Sequence, residues 1–264
     1  MQMGRFKIKS SRINHIFISH LHGDHYLGLP GFIASLHLKN RNQELHLYCH
    51  EPLREILEVQ FRHSQTHLRF PIQYHFLNPD KEELIYDDHS LQVVSFPLNH
   101  RIPCNGFLFK EKTKPLPVRK DMIARYSIPP QEIPRIKQGA DFIEENGNVI
   151  PNSQLTHPPL HAASYAYCSD TIYQSSLAKI LKGVDLLYHE ATFLDEHRHR
   201  AKETYHTTAR QAALFAKEAG VGRLLMGHFS ARYHNLEAFV TEAGELFPES
   251  ILAQEGSTYK VFGK

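Results

Sequence analysis

The sequence predicts an α/β fold in which strands and helices alternate along the chain. Short runs rich in β-branched and aromatic residues are separated by segments whose apolar residues recur at helical spacing, a pattern typical of layered α/β proteins. With 264 residues, of which 41% are hydrophobic, the chain can bury a sizeable core. The predicted strands are residues 13–19, 45–48, 72–76, 91–96, 164–168 and 224–226.

Two helices are predicted between these strands. In residues 52–64, the apolar side chains fall on one helical face; they are Leu53, Ile56, Leu57 and Phe61. Residues 209–219 follow Thr207 and Thr208, which are suited to capping a helix N-terminus. Gly220 then ends this helix, because glycine readily adopts the left-handed conformation that closes helices.

Composition and charge exclude several classes of protein. No run of about 18 apolar residues occurs and the first 14 residues are charged throughout, so we expect neither a membrane span nor a signal peptide, and a cytoplasmic location. Cys49, Cys104 and Cys168 are too few and too far apart for a disulfide framework, and we expect them to be buried. A net charge of +2 does not by itself demand a nucleic-acid partner.

Residues 110–159 differ from the rest of the chain. Prolines are dense here and periodicity is absent, so we interpret this stretch as an arm inserted within a single domain that spans residues 1–264. Between residues 110 and 138 the arm has eight basic and three acidic side chains, a net charge of +5. A basic arm suits phosphate contacts, although a solvated surface loop would have a similar composition.

Four residues of metal-binding types occur within six positions directly after the first predicted strand: His20, His22, Asp24 and His25. The two-residue spacing of His20 and His22 puts both side chains on the same side of an extended chain. Asp24 and His25 lie in the following turn, where Gly23 lets the backbone bend, and they could serve a second ion. The alternative is a histidine-rich surface loop.

Three further candidates follow apolar strands downstream: His100, Asp170 and His228. Taken singly, each has an ordinary interpretation, as a loop histidine, a helix N-cap and a strand-terminal polar residue. Their shared position favours metal binding, because open α/β sheets place their sites at the carboxyl ends of strands.

These residues resemble the metallo-β-lactamase superfamily, whose HxHxDH signature is matched by His20, His22, Asp24 and His25. More closely, the chain resembles the ribonuclease Z family of tRNA 3′-end endonucleases. The resemblance extends over nearly the whole sequence, through FISHLHGDHYLGLPG, NHRIPCNGF around His100, CSDT at Asp170, HEATF at 189–193, YHTTARQAA at 205–213 and HFSARY at 228–233.

The resemblance implies an αβ/βα sandwich and a site for two Zn²⁺ ions, with Mn²⁺ or Fe²⁺ as possible substitutes. His20, His22 and His100 would bind one ion, Asp24, His25 and His228 the other, and Asp170 would bridge them. It also implies that roughly forty residues usually precede the part matched here, so we expect the first sheet to be incomplete, with an exposed edge.

The substrate and assembly implied by the resemblance are precursor tRNA and a homodimer. The arm would be the tRNA-binding exosite, and its candidate contacts are Lys112, Lys114, Arg119 and Lys120. Arg232 could contact a substrate phosphate, but a plain surface arginine is the alternative.

Three residues are predicted to act on the reacting groups. Asp24 would orient the attacking water or accept its proton, as the resemblance suggests. His206 would protonate the leaving ribose 3′ oxygen, and Glu190 would hold the His206 imidazole and raise its basicity. Alternatively, His206 merely precedes a helix cap and Glu190 is an ordinary carboxylate at a strand end.

The predicted function is zinc-dependent removal of the 3′ trailer from tRNA precursors, which leaves a 3′-hydroxyl on the tRNA. A metallo-β-lactamase-fold hydrolase of a small ester, sulfate or phosphodiester would use the same ligands without needing the basic arm. A truncated, catalytically weak RNA-binding paralogue is the alternative from a different class.

Overall fold

The computed structural model describes residues 2–262, which form two compact units. The smaller unit consists of Asp88–Gln92 and Lys110–Ala163, and the larger unit contains the other described residues. Among these residues, none of the helices combines the length and apolar character needed to cross a membrane.

The described chain contains twelve strands and ten α-helices. The strands are β1 His15–Phe17, β2 Leu45–Cys49, β3 Ile72–Phe76, β4 Glu83–Asp87, β5 Leu91–Leu98, β6 Cys104–Glu111, β7 Phe142–Ile143, β8 Val149–Ile150, β9 Ser164–Cys168, β10 Leu186–Glu190, β11 Arg223–Gly227 and β12 Ser250–Leu252. The helices are α1 Gln2–Arg5, α2 Gly23–Tyr26, α3 Gly28–Leu38, α4 Pro52–His63, α5 Lys120–Arg125, α6 Ile133–Lys137, α7 Asn152–Leu155, α8 Arg198–Thr204, α9 Ala209–Ala219 and α10 Glu237–Gly244.

The first sheet of the larger unit has three parallel strands in the order β1-β2-β3. One of its faces is covered by α3 and α4, which bury Ile33 and Leu57 against Leu47 of β2. Parallel sheets bury both faces, and accordingly β2 is an apolar strand whose ends are fully buried.

The second sheet has seven strands in the order β12-β11-β10-β9-β6-β5-β4, and β9 to β12 are parallel. Helices α9 and α10 cover it, with Phe215 and Phe239 fully buried in the core that they share with the sheet. Phe17 of β1 meets Phe107 and Phe109 of β6 at ring-centroid distances of 5.4 and 5.3 Å, so aromatic side chains join the two sheets. The predicted α/β sandwich is therefore confirmed.

The predicted elements agree with the structure where the local pattern is strong. β3, β9 and α9 have the predicted bounds, and α4 ends one residue earlier. β6 was not predicted, because Gly106 interrupts its apolar pattern. A side chain at Gly106 would clash with the Phe96 ring, since a Cβ there would lie 2.4 Å from it. The packing of β6 against β5, and not strand propensity, requires glycine at this position.

The smaller unit has an apolar cluster of its own, which consists of Ile128, Ile136, Phe142, Ile150 and Leu155. Helices α5, α6 and α7 and the β7–β8 hairpin lie in this unit. The proline-rich stretch is thus a small folded unit and not an irregular loop, because these five side chains exclude water from a shared centre.

All three cysteines are buried and free, as expected. Burial raises the pKa of Cys49 from its ordinary value of 9.0 to about 12. Because the thiolate is the reactive form, Cys49 is inert at neutral pH and serves packing.

Candidate metal centre

The predicted site residues of the larger unit meet at the carboxyl ends of its strands. His20 follows β1, His100 follows β5, Asp170 follows β9 and His228 follows β11. Loops that leave neighbouring strands at the same edge can bring residues far apart in sequence into contact, which is why strand ends carry the sites of open sheets.

Asp170 lies at the centre of this cluster, and its Oδ2 atom faces two histidines. It is 3.6 Å from Nε2 of His20 and 3.8 Å from Nε2 of His100. His100 Nε2 is in turn 3.1 Å from Nδ1 of His22. These four residues each offer a donor atom, and the atoms all lie within 4.8 Å of one another.

The other carboxylate oxygen of Asp170 faces a second group. Oδ1 lies 3.5 Å from His25 Nε2 and 3.4 Å from His228 Nε2. Asp24 Oδ2 approaches the same two nitrogens at 3.3 and 3.4 Å. Asp24, His25 and His228 therefore form a second set of donors, and the two oxygens of Asp170 point towards different sets.

Hydrogen bonds on the far side of the imidazoles fix which nitrogen is free. His100 donates its Nδ1–H to the carbonyl of Tyr205 at 3.0 Å, so its Nε2 carries the lone pair. His20 Nδ1 lies 3.1 Å from the Ser19 hydroxyl, which itself donates to Ser169. His20 Nε2 is consequently also available as a ligand atom.

Unpartnered atoms test whether a cation fits this cluster. Among residues 2–262, His20 Nε2, His25 Nε2 and Asp170 Oδ1 are buried without a hydrogen-bond partner. Burying polar atoms in this way is unfavourable unless something compensates them. A cation between the nitrogen lone pairs and the carboxylate oxygens would do so, and this mixed N/O donor set suits zinc.

The electrostatics keep His20 and Asp170 in the protonation states that bind metal; the pKa of His25 is instead raised, because its interactions with Asp170 and Asp24 outweigh the effect of burial. Burial and the neighbouring His25 lower the pKa of His20 to about 3, so its imidazole is neutral. Burial alone would raise the pKa of Asp170, but its interactions with His25 and His228 hold it well below the usual range. Neutral imidazole and ionised carboxylate are the ligating forms.

Glu190 and His206 form a pair beside the cluster. The Glu190 carboxylate is fully buried, and its Oε1 accepts the Nδ1–H of His206 at 2.9 Å. The carboxylate also accepts backbone N–H groups from Thr171, Thr192 and Thr207 at 3.1, 2.9 and 3.1 Å. These donors hold the carboxylate rigidly, and its bond to Nδ1 leaves Nε2 of His206 free.

The pair alters the protonation of His206. Burial alone would lower the pKa of this imidazole, but the hydrogen bond to Glu190 and the negative charges of Glu190 and Asp170 raise it above its ordinary value. His206 also lies close enough to Asp170 and His228 to offer a donor atom within 4.8 Å of theirs. Its position therefore permits either proton donation or metal ligation.

Sequence reasoning missed Thr192, which connects these groups. Its hydroxyl donates to Glu190 Oε2 at 2.8 Å and lies 3.0 Å from Nδ1 of His228 and 3.2 Å from Nδ1 of His206. The HEATF segment contains this threonine, but nothing in its spacing indicates contacts with residues 14 and 36 positions away. Tyr205 was also missed, because it contacts Nδ1 of His100 through its backbone carbonyl, which the residue type does not indicate.

The remaining candidates are not among the residues whose donor atoms form the cluster. Arg232 packs its guanidinium carbon 4.9 Å from the centroid of the Phe193 ring and donates to the Ser230 hydroxyl at 3.2 Å. The arm candidates belong to the smaller unit; they are Lys112, Lys114, Arg119 and Lys120. There Arg119 is paired with Asp121 at 2.9 Å and Lys114 with Glu111 at 3.9 Å.

Several other histidines have structural roles on the first sheet. His15 stacks on His46 at a centroid distance of 4.6 Å, and His46 Nδ1 lies 3.0 Å from Nε2 of His75. Tyr48 stacks on His75 at 4.3 Å. Histidine is abundant in this chain, and spacing after a strand, not abundance, distinguishes the metal cluster.

Residues 2–116 match the family model described as a beta-lactamase superfamily domain. The ribonuclease Z of Bacteroides thetaiotaomicron is 48% identical over 255 residues, which are 97% of this chain and 81% of that protein. That of Parabacteroides distasonis is 46% identical over 99% of this chain and 86% of its own length. The chain belongs to the ribonuclease Z family.

A solved structure supports the same assignment. The human short-form tRNase Z superposes with a TM-score of 0.68 at 26% identity, covering 98% of this chain and 83% of that one. The resemblance of the sequence to the ribonuclease Z family is thereby confirmed, and the chain is a hydrolase with a metal-binding cluster of histidine and aspartate.

Proposed function

We propose that this chain removes the 3′ trailer from tRNA precursors by hydrolysing one phosphodiester bond, which leaves a 3′-hydroxyl on the tRNA. The observation that carries the proposal is the cluster in which both oxygens of Asp170 face histidines, with the Glu190–His206 pair beside it. The names of the relatives, ribonuclease Z and human tRNase Z, supply the substrate class.

The two donor sets would hold two Zn²⁺ ions, with Mn²⁺ or Fe²⁺ as alternatives. His20, His22 and His100 would form one site, Asp24, His25 and His228 the other, and Asp170 would belong to both. Such ions supply Lewis acidity, which makes water a better nucleophile and stabilises negative charge on the phosphoryl oxygens.

Asp24 is positioned to act on the attacking water. Its carboxylate is 65% exposed and contacts His25 and His228 of the cluster. Asp24 would orient the water and accept its proton as the new bond to phosphorus forms. The interactions with these histidines lower its pKa although burial opposes them, so the carboxylate is ionised and able to accept.

His206 would complete the reaction at the leaving group. As the bond between phosphorus and the ribose 3′ oxygen breaks, Nε2 of His206 donates a proton to that oxygen, and the phosphate remains on the trailer. Glu190 raises the proton affinity of the imidazole, so a larger fraction carries the proton before the reaction. The Glu190 contact thus suits an acid role for His206.

The arm would bind tRNA outside the reacting centre. We propose that residues 110–159 act as an inserted exosite in the single domain, through Lys112, Lys114, Arg119 and Lys120. Phosphate contacts of this kind supply affinity without reading sequence. Arg232 would contact a phosphate near the cluster.

The family resemblance also supports a homodimer that acts in the cytoplasm. Sedimentation would test the oligomeric state, and cell fractionation would test the location.

Incubating the zinc-loaded chain with a 3′-extended tRNA precursor tests the function directly. The expected result is a single cut after the discriminator nucleotide. Binding without a cut would instead support the RNA-binding alternative. A lack of both, with turnover of a small ester or phosphodiester, would support the small-substrate hydrolase.

The role of His206 has its own test. His206→Ala should reduce the rate of cleavage by at least about a hundredfold, because general acid catalysis is typically worth that much, while zinc content measured by atomic absorption stays unchanged. His63→Ala, which removes an exposed histidine at the end of α4, is the matched control. Loss of zinc together with activity would show that His206 is a ligand.

A further inference from the structure

A pocket of about 460 Å³ opens beside His206 in the larger unit. Its walls come from the loop after β9, which contributes Ile172 and Tyr173, and from α8, which contributes Arg198 and Lys202. The proposed reaction needs His206 but does not account for this pocket. His206 itself lines the pocket. A group bound there would therefore lie next to the leaving 3′ oxygen that His206 protonates in the proposed reaction.

The part of the pocket wall that α8 contributes carries uncompensated positive charge. Arg198 and Lys202 are four residues apart, so they lie on the same face of α8. Neither forms an ion pair with any residue between 2 and 262, and both are exposed. In contrast, His199 and Arg200 of the same helix share Glu203, each at 3.3 Å. Two free cations at the wall of a pocket favour a phosphate group.

The part of the pocket wall that follows β9 is apolar and aromatic. Tyr173 is half-buried, and its hydroxyl donates to Glu218 at 2.7 Å, which anchors the end of the side chain. Ile172 lies beside it in the pocket wall. An aromatic ring and cations that line one pocket are the combination with which proteins bind single-stranded nucleotides, with the base stacked and the phosphate paired.

We propose that this pocket binds the nucleotide that carries the leaving 3′ oxygen, which is the last nucleotide retained in the tRNA. Its base stacks on Tyr173, and the phosphate on its 5′ side contacts Arg198 and Lys202. Its 3′ oxygen then lies at His206, which donates the proton as the bond to phosphorus breaks. The orientation rests on the proposed function, because it requires His206 to protonate the leaving group.

The phosphate contact is tested by binding, without cleavage. The probe is a tRNA that ends in a 3′-hydroxyl at the discriminator nucleotide, and its Kd for the zinc-loaded protein is measured by fluorescence anisotropy. The double variant R198A/K202A should raise Kd about tenfold or more. It should also reduce the slope of log Kd against log salt concentration by about 0.7 for each phosphate that the protein no longer neutralises.

The matched control is Arg200→Ala, which removes a cation from the same helix outside the pocket and should leave Kd within about twofold, as expected for an exposed ion pair. An equal loss of affinity in R200A and R198A/K202A would overturn the proposal, since a general positive field would then suffice. An unchanged Kd in the double variant would overturn it as well. Turnover of bis(4-nitrophenyl) phosphate, which lacks any nucleotide, should stay unchanged in R200A.

The stacking contact is tested with abasic RNA. Removing the base of the last retained nucleotide should weaken binding by about tenfold in the wild type, because a stacked base contributes roughly that much. The penalty should persist in Tyr173→Phe, which keeps the ring, and vanish in Tyr173→Ala. A penalty of equal size in Tyr173→Ala would overturn the proposal, because the base would then be recognised elsewhere.

Failure of the pocket and failure of the proposed function give different results. If the wild type does not cut the precursor, the proposed function is wrong. The Kd of R198A/K202A for the tRNA product, compared with that of the wild type, then still tests the phosphate contact. If the wild type cuts at the discriminator and the double variant binds and cuts equally well, the function stands and the pocket proposal is wrong.

Discussion

Thr192 shows how much of the candidate site depends on one hydroxyl group. It donates to the buried Glu190 carboxylate and lies within 3.2 Å of Nδ1 in both His206 and His228. The hydroxyl oxygen of Thr192 thus helps to orient two imidazoles, that of His206 in the proposed acid pair and that of His228 in the second donor set. Partners of this type set the orientation and basicity of metal-binding histidines.

Replacing Thr192 by valine keeps the shape of the side chain and removes these hydrogen bonds. We expect T192V to lower both the rate of tRNA cleavage and the affinity for zinc by about tenfold or more. Thr192→Ser keeps the hydroxyl and should restore both to within a few fold. Zinc titration and single-turnover cleavage measure the two effects, and normal values in T192V would contradict this role.

At the scale of single elements, α9 illustrates a helix whose ends are both specified locally. Thr208 is the N-cap, and its hydroxyl accepts the backbone N–H of Gln211 while the Gln211 side chain accepts that of Thr208. Gly220 closes the helix in the left-handed conformation, with φ of 61°. The N-cap also fixes the direction of the chain just after His206, because only Thr207 separates His206 from Thr208.

Thr208→Ala should destabilise the protein by about 1 kcal/mol, the usual cost of removing such a cap. The control is Thr241→Ala within α10, where the threonine is exposed and bonds only to a carbonyl one turn earlier. This change should be neutral or slightly stabilising, because alanine has the higher helix propensity. Urea denaturation distinguishes them, and equal midpoints for the two variants would contradict the capping role.

For the whole molecule, the metal cluster joins segments that are distant in sequence. Asp170 contacts histidines that lie 150 residues before it and 58 after it. A cation held among them would cross-link both sheets of the larger unit, so binding should contribute to global stability. Its contribution grows with the logarithm of the free metal concentration over Kd.

Chelation should therefore lower Tm. At a metal concentration of 100 times Kd the bound ion contributes about 3 kcal/mol, which corresponds to roughly 5 to 10 °C for a protein of this size. Calorimetry with and without EDTA measures the difference. In Asp170→Ala, added zinc should no longer raise Tm, and an undiminished zinc response in that variant would contradict the central position of Asp170.

Alkaline pH should destabilise the larger unit through buried groups away from the cluster. Burial raises the pKa of Cys49 from 9.0 to about 12, so above pH 9 the unfolded chain loses a proton that the folded protein retains. Stability is full below pH 9 and declines as pH rises towards 12. Cys49 alone should account for about 2 kcal/mol between pH 9 and 10.5. Urea midpoints should fall less steeply with pH in Cys49→Ala, and an unchanged slope would contradict this cause.

The sequence alone determined the family, the α/β class and the seven residues that the structure brings into the two donor sets. It could do so because ligands after apolar strands obey local spacing, as His20 and His22 do, and because α9 has both its caps encoded beside it. β6 could not be predicted in this way, since the need for Gly106 arises only from the Phe96 ring beside it.

Tertiary structure alone decided how the two oxygens of Asp170 divide between the donor sets, and which groups orient the imidazoles. The Tyr205 carbonyl and the Thr192 hydroxyl reach His100 and His228 across the fold, over separations of 105 and 36 residues. Such contacts depend on how the folded chain places two distant segments side by side. A local pattern of residue types cannot predict the distance between those segments. The pocket of Tyr173, Arg198 and Lys202 exists for the same reason, because strand pairing and helix packing bring its two walls together.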